Sequence, residues 1–197
     1  MSELITRQAK YASGNPISRA LLGGFFADLS RLLARRRYAN VLEIGCGEGL
    51  VLHNLREHLE NAPAVALDVD LEGVAAARSN SPFASYLSAS IYALPFRDRA
   101  FDLVLCCEVL EHLELPERGL REIARVASRT CLLSVPREPI WRALNVARGA
   151  YWSALGNTPG HLNHWSRNAF ARFVAAELDV VEIASPLPWT AVLAEKR

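Results

Sequence analysis

Residues 41–49 have the sequence VLEIGCGEG, in which a short apolar run leads into a cluster of three glycines. A helical pattern of apolar residues follows from Leu50 to Leu59. Glycines allow a tight turn and let a ligand approach the backbone without a Cβ in the way. The helix after the turn presents free N–H groups at its first residues. This stretch predicts a strand, a turn and a helix that bind a ligand at the carboxyl end of the strand.

An acidic residue stands near the end of the next predicted strand, Ala64–Val69. Asp68 follows Gly49 by 19 residues, close to the spacing of a carboxylate that accepts hydrogen bonds from ribose hydroxyls. Asp70 is a weaker candidate for the same role. The glycines and the carboxylate together indicate a ligand that contains a nucleoside.

The glycine loop differs from the fingerprint of dinucleotide-binding proteins. That fingerprint, Gly-x-Gly-x-x-Gly, has its third glycine where this chain has Leu50. Glu43 and Glu48 place negative charge before and inside the loop, which suits a pyrophosphate poorly and could attract an ammonium group. The loop therefore favours a nucleoside with positive charge over a dinucleotide.

Strand and helix candidates alternate through the middle of the chain. The predicted strands are 41–44, 64–69, 85–89, 101–107, 131–135, 179–185 and 189–195, and the predicted helices are 17–37, 50–59, 71–79, 116–127 and 166–178. This alternation favours an α/β fold, a parallel sheet with helices on both faces. Residues 137–165 interrupt the pattern and are predicted to be irregular.

The composition excludes several classes of protein. A length of 197 residues suits a single domain, and the net charge of +1 gives no general attraction to nucleic acid. The longest apolar runs are too short for a membrane span, and residues 1–10 lack the apolar core of a secretory signal. Four cysteines without a Cys-x-x-Cys spacing predict buried, reduced thiols in a cytoplasmic protein.

Five segments resemble the class I S-adenosylmethionine-dependent methyltransferases, particularly those that act on small molecules. These segments are VLEIGCGEG at 41–49, ALDVD at 66–70, LPF at 94–96 with FDLV at 101–104, VLEHL at 109–113 and REIARV at 121–126. Each motif alone is weak, whereas the ordered set, within residues 38–136, is specific.

The resemblance implies a Rossmann-like three-layer sandwich around a seven-stranded, mostly parallel sheet. The last strand of such a sheet is antiparallel, and residues 179–185 and 189–195 would supply strands six and seven. The whole chain, 1–197, would form one methyltransferase domain. Residues 1–37 would be an N-terminal helical segment, whose Tyr11 region folds over the cofactor, and residues 137–165 a substrate-cap insertion.

The resemblance also implies which residues contact S-adenosylmethionine or its product, S-adenosylhomocysteine (SAH). They are Glu43, Gly45, Cys46, Gly47, Asp68, Val69, Ser90, Ile91, Cys107 and Glu108. The glycine loop would hold the methionine part, Asp68 the ribose, Ser90 and Ile91 the adenine, and the last two residues the sulfonium. Many relatives have Asp in place of Ser90, which accepts a hydrogen bond more weakly.

Methyl transfer depends mainly on alignment, because the sulfonium is already an activated donor. A hydroxyl or amine acceptor can need a base, and the candidates are His112, His161 and His164, with Glu111 weaker. Each could instead have a structural role, His112 by packing and the other two in a loop pinned by Trp165. The His161-x-x-His164 spacing resembles a metal site, but the sequence shows no third ligand, so we predict none.

The predicted function is methyl transfer to a small molecule, with oxygen favoured as the acceptor atom. Arginine and aromatic residues within 137–165 suit an anionic or aromatic acceptor, or form a small satellite core. Nucleic acid is not expected, because the chain has no room for a second recognition domain. The alternatives are a non-catalytic scaffold with the same fold and, less favoured, an NAD-dependent oxidoreductase.

Overall fold

The fold is an α/β sandwich with a seven-stranded sheet in the order β3-β2-β1-β4-β5-β7-β6. The computed structural model describes residues 16–34, 36–59 and 62–197. The strands are β1 (Val41–Ile44), β2 (Ala64–Asp68), β3 (Ala84–Ser88), β4 (Phe101–Cys107), β5 (Ala127–Pro136), β6 (Leu178–Ala184) and β7 (Trp189–Lys196). Strand β7 is antiparallel to both its neighbours, and the other pairs are parallel. The predicted fold class is confirmed.

Helices cover both faces of the sheet. They are α1 (Pro16–Leu33), α2 (Leu50–Leu55), α3 (Leu71–Asn80), α4 (Pro116–Val126), α5 (Ile140–Ala147) and α6 (Arg167–Val174). Side chains from α1, α2, α3 and α5 share one apolar core with one face of the strands. The opposite core contains side chains from α4 and α6. Alternate residues of each strand enter opposite cores because strand side chains have a period of two.

The order of the strands positions the site. The chain runs from β1 outward through β2 to β3, then crosses back so that β4 lies on the other side of β1. Helices α2 and α4 follow β1 and β4 and belong to opposite cores, so they leave the sheet on opposite faces. Such a reversal opens a crevice at the carboxyl ends of the two strands, where ligands bind in open α/β sheets.

Several predicted boundaries were wrong. Helix α1 ends at Leu33, its last buried residue, rather than at 37. Helix α2 ends at Leu55 and continues as a 3₁₀ turn, and strand β5 begins at Ala127, where it pairs with Phe101. Helix α6 ends at Val174 because β6 begins at Leu178.

The segment 137–165 is less irregular than predicted, because it contains α5. One side of this helix is buried through Trp141 and Asn145, four residues apart. The Asn145 side-chain amide donates to the Gly156 carbonyl at 2.8 Å, which holds the rest of the segment against the helix. Ser166 caps the N-terminus of α6, since its hydroxyl accepts from the Ala169 N–H.

Two further sequence predictions concern the N-terminal segment and the crossing of a membrane. Tyr11 and the rest of residues 1–15 lie outside the described residues. Within the described ranges, no helix combines the length and the apolar character that crossing a membrane requires.

Candidate functional site

A cavity of about 600 Å³ opens at the carboxyl ends of β1, β2 and β4. This volume lies within the range of small-ligand pockets, about 300–1,000 Å³. Nine of the predicted cofactor residues line it: Gly45, Cys46, Gly47, Asp68, Val69, Ser90, Ile91, Cys107 and Glu108. The structure therefore brings together residues from four separate stretches of the sequence, 45–47, 68–69, 90–91 and 107–108.

The three loop glycines have left-handed backbone conformations, with φ of +72° at Gly45, +46° at Gly47 and +79° at Gly49. A Cβ on Gly45 would overlap the Val109 side chain, and one on Gly49 would lie 3.0 Å from Ala77 of α3. A Cβ on Gly47 would meet no protein atom within 4 Å. The first and third glycines thus permit close packing, whereas the second leaves open space where a ligand can approach the backbone.

Asp68 joins the end of β2 to the glycine loop. Its Oδ2 accepts from the Gly47 N–H at 2.8 Å, and its Oδ1 accepts from the Asp70 N–H at 2.9 Å. Asp70 has a different role, because its side chain accepts from the Glu72 N–H and caps α3. Since Asp68 also lines the cavity, its carboxylate is held in place and retains lone pairs for a ligand hydroxyl.

The wall of the cavity is strongly acidic. It includes Glu48, Asp68, Asp70, Glu72 and Glu108, and no Arg or Lys is among the described residues that line it. A pyrophosphate would meet like charge on such a wall, whereas a sulfonium or ammonium group would be attracted. The acidic wall therefore fits the positively charged S-adenosylmethionine and does not fit a nicotinamide dinucleotide.

Glu43 lies behind the wall rather than on it. The residue is 2% exposed and is not among the cavity-lining residues. Burial, and then the nearby negative charge of Asp68, raise the pKa of the Glu43 carboxyl to about 8. Glu43 therefore does not line the cavity, where the sequence predicted its contact with the methionine part.

The expected adenine side of the cavity is mostly apolar. Ile91, Ala89 and Leu113 line it beside Ser90. The Ser90 hydroxyl accepts from the Tyr92 N–H at 3.2 Å, so it stabilises its own turn as well as facing the cavity. The predicted place of Ser90 beside the adenine is compatible with this position.

Glu108, directly after β4, has a strained backbone, with φ of +61°. Its Oε2 accepts from Trp189 Nε1 at 2.7 Å, and its Oε1 accepts from the Ser134 hydroxyl at 3.2 Å. Non-glycine residues in this conformation concentrate at functional sites, where the surroundings impose it. Neighbouring Cys107 also lines the cavity, and burial raises the pKa of its thiol above the usual range.

The three candidate histidines lie in different environments. Among them only His112 lines the cavity, and its Nδ1 hydrogen-bonds the Gly160 carbonyl at 2.9 Å. His161 is buried, with its ring 4.9 Å from that of His112. His164 is exposed and hydrogen-bonds Asn157 through Nε2 at 2.7 Å. The two histidines of the His-x-x-His spacing therefore do not act as a pair.

The segment 137–165 supplies none of the described residues that line the cavity. Trp141 is buried and donates through Nε1 to the Thr158 hydroxyl at 2.9 Å, and Trp165 packs against Phe170 and Phe173. Trp141 belongs to the core that it shares with α1, and Trp165 packs against the opposite core, so the two do not form the separate satellite core that the sequence allowed. Trp152 is exposed.

The structure brings together one group of three side chains that the sequence analysis did not predict. Glu111 and His112 come together with His161, almost 50 residues later, so that one ligand atom of each lies within 4.8 Å of the others. No local signal could have paired them, because the contact depends on how the segment after α5 returns to the end of β4.

Comparison with known sequences agrees with this geometry. The family described as "Methyltransferase domain" matches residues 42–134. A protein named as a probable S-adenosylmethionine-dependent methyltransferase of Mycobacterium tuberculosis is 37% identical over 109 residues, 53% of this chain and 38% of that protein. Ajmaline N-methyltransferase of Rauvolfia serpentina is 29% identical over 130 residues, 57% of this chain and 45% of that protein.

A ubiquinone biosynthesis O-methyltransferase of Rickettsia bellii is 37% identical over 76 residues, 38% of this chain and 31% of that protein. The chain thus spans less than half the length of these curated relatives.

Solved structures share the fold. Magnesium protoporphyrin IX methyltransferase from Synechocystis PCC 6803, with bound SAH, has a TM-score of 0.71 at 15% identity, and the match covers 98% of this chain and 93% of that chain. With the family match and the sheet order, this likeness leads to one conclusion. Residues 42–134 of the chain belong to the class I S-adenosylmethionine-dependent methyltransferase family.

Proposed function

We propose that this chain transfers a methyl group from S-adenosylmethionine to a hydroxyl of a small molecule. The observation that carries the proposal is the acidic, glycine-walled cavity, in which Asp68 is held by the loop that it faces. When bound, S-adenosylmethionine supplies a methyl carbon that its positively charged sulfur has already activated. The protein then has to bind the donor, align the acceptor and assist the loss of a proton.

The described residues divide these tasks along the cavity. Gly47 leaves room for the methionine part, Asp68 accepts from the ribose, and Ser90 with Ile91 borders the adenine. Cys107 and Glu108 lie after β4, where the sulfonium is expected, and the Glu108 carboxylate attracts its positive charge. Their fixed positions reduce the reorganisation that alignment requires.

The acceptor is placed beside His112, the one candidate histidine on the described wall. In the transfer, the acceptor oxygen forms a bond to the methyl carbon, and the electron pair of the broken carbon–sulfur bond stays on sulfur. The acceptor hydroxyl loses its proton in this step, and His112 assists that loss. The relatives include proteins named for N-methylation and for O-methylation. The choice of oxygen as the acceptor atom therefore rests on the need to remove a proton.

Radiolabelled methyl transfer tests the proposal. The protein is incubated with methyl-labelled S-adenosylmethionine and a panel of phenols, aliphatic alcohols and amines, and Asp68→Ala serves as the matched inactive control. We expect label in a hydroxyl compound, with an O-methyl product by mass spectrometry. Label only in amines would contradict the oxygen assignment. Cofactor binding without turnover on any compound would favour the scaffold alternative.

We also propose a cytoplasmic location. All four cysteines are free and buried, as expected for a protein kept in a reducing compartment.

A further inference from the structure

We propose that Glu111, His112 and His161 form a binding site for one divalent transition-metal ion at the edge of the cavity. One carboxylate and two imidazoles are a donor set that such ions prefer, and each residue offers one ligand atom within 4.8 Å of the others. The Nε2 of His112 lies 3.8 Å from Oε1 of Glu111. Ligand atoms around a tetrahedral zinc ion lie about 3.4 Å apart, so only a small adjustment is needed.

The ring of His112 is already oriented for binding. Its Nδ1 lies 2.9 Å from the Gly160 carbonyl, an acceptor, so Nδ1 carries the hydrogen and Nε2 is the nitrogen of the neutral ring that can act as a ligand. Metal-binding histidines are oriented in this way, by a hydrogen bond from the other ring nitrogen to a carbonyl or carboxylate. The tautomer that the structure selects is therefore the one that presents Nε2 to an ion.

Backbone contacts fix Glu111 and His161 relative to each other. The Glu111 carbonyl accepts from the N–H groups of Leu162 and Asn163 at 2.8 and 3.0 Å. The Asn163 side-chain amide donates to the carbonyl of Leu113 at 2.6 Å. The His161 ring is stacked on the Trp141 ring, with centroids 5.8 Å apart. The loop after Gly160 is thus held against the 3₁₀ turn Leu110–His112, which carries the Glu111 carboxylate.

The burial of the three side chains gives the site an open side. Glu111 is 1% exposed and His161 is 5% exposed, whereas the His112 side chain is 40% exposed and lines the cavity. An ion held by these residues would have its vacant coordination positions on the cavity side. Open positions of this kind distinguish catalytic from structural metal sites.

This location gives the ion a chemical role, which rests on the proposed function. An acceptor hydroxyl that binds the ion loses its proton to water more readily, because the ion stabilises the oxygen anion. That oxygen then forms the bond to the methyl carbon, and the carbon–sulfur electron pair stays on sulfur. His112 would therefore assist proton loss as a ligand of the ion rather than by accepting the proton itself.

Cobalt titration of the untagged protein tests the site without cofactor or acceptor. We expect one Co²⁺ per chain, with visible ligand-field absorption that Zn²⁺ abolishes by displacement. Glu111→Gln and His161→Gln keep a polar side chain of similar length, and each should weaken Co²⁺ binding by more than the roughly 10- to 100-fold that the loss of an outer-shell partner of a ligand costs. His164→Ala removes an exposed histidine of the same segment and should leave Co²⁺ affinity unchanged.

Three results would overturn the proposal. They are the absence of Co²⁺ binding, unchanged affinity in both glutamine variants, and an intense sulfur-to-cobalt band that assigns the ion to a cysteine. Thermal unfolding of each variant shows whether it is folded, and SAH binding by the same samples is measured separately. If SAH binds and Co²⁺ does not, the metal site fails and the methyltransferase proposal stands.

Discussion

The Oδ2 atom of Asp68 accepts a hydrogen bond from the backbone N–H of Gly47 at 2.8 Å. This bond links the end of β2 to the second glycine of the loop after β1. The carboxylate therefore organises the loop and also faces the cavity. A change at either residue should therefore affect ligand binding more than it affects the sheet.

Replacing Asp68 with Asn should weaken SAH binding by about 10- to 100-fold, because hydrogen bonds to a charged group contribute about 1.5–3 kcal/mol. The matched control is Asp70→Asn, two residues away on the same wall. Asn caps helices as well as Asp does, so this variant should keep both its stability and most of its affinity. Isothermal titration measures both, and equal losses in the two variants would contradict the role of Asp68.

Alanine at Gly45 and at Gly47 should have different effects. At Gly45 the added Cβ overlaps Val109, so we expect a loss of about 1–3 kcal/mol in the free energy of unfolding. At Gly47 no protein atom opposes the Cβ, so the stability loss should be about 1 kcal/mol, from the positive φ alone. The methyl group would still occupy space at the cavity wall, so SAH binding should fall.

Denaturant unfolding and SAH titration of both glycine variants check this pair. If Gly47→Ala unfolds as easily as Gly45→Ala and binds SAH normally, the open space beside Gly47 is not part of the site.

Glu43 should make stability depend on pH. Its carboxyl pKa is raised to about 8 from 4.5, so the folded state holds a proton that the unfolded state has released between these values. Stability should therefore fall as the pH rises from about 5 to 8, by at most about 1.4 kcal/mol per pH unit, and level off above that. Glu43→Gln removes the titration and should flatten this part of the profile. Unfolding free energies across the range measure it, and equal slopes in the two proteins would refute it.

Asn163 should control how firmly the loop 160–163 is held. Its side-chain amide donates to the carbonyls of Leu110 and Leu113, at 3.3 and 2.6 Å. Asn163→Asp removes both donated hydrogen bonds, each of which contributes about 0.5–1.5 kcal/mol. The backbone amides at positions 162 and 163 should therefore exchange faster by about tenfold or more. Hydrogen exchange with mass spectrometry tests this. Asn168→Asp, exposed in α6, is the control, and unchanged protection in the loop would contradict the prediction.

The sequence was sufficient to predict the sheet and most of the cofactor cavity. The glycine loop and Asp68 carry local signals, because a tight turn and a strand-end carboxylate each need particular residue types. The edges of α1 and β5 were missed because their ends are set by packing and by pairing with Phe101, which lie far away in sequence.

The histidines show where local reasoning fails. Spacing suggested His161 with His164, but the fold instead brings His161 to His112 and Glu111. Similarly, Glu43 belongs to the motif, yet the alternation of β1 points its side chain into the core rather than the cavity. For the histidines the deciding contact is tertiary, and no pattern within ten residues encodes it.

Titration of the wild-type protein with SAH, with NADH as the parallel ligand, tests the central claim most directly. The acidic cavity without Arg or Lys among its described lining residues predicts micromolar binding of SAH and none of NADH. Binding of NADH in preference to SAH, or binding of neither, would contradict the assignment of this cavity to S-adenosylmethionine.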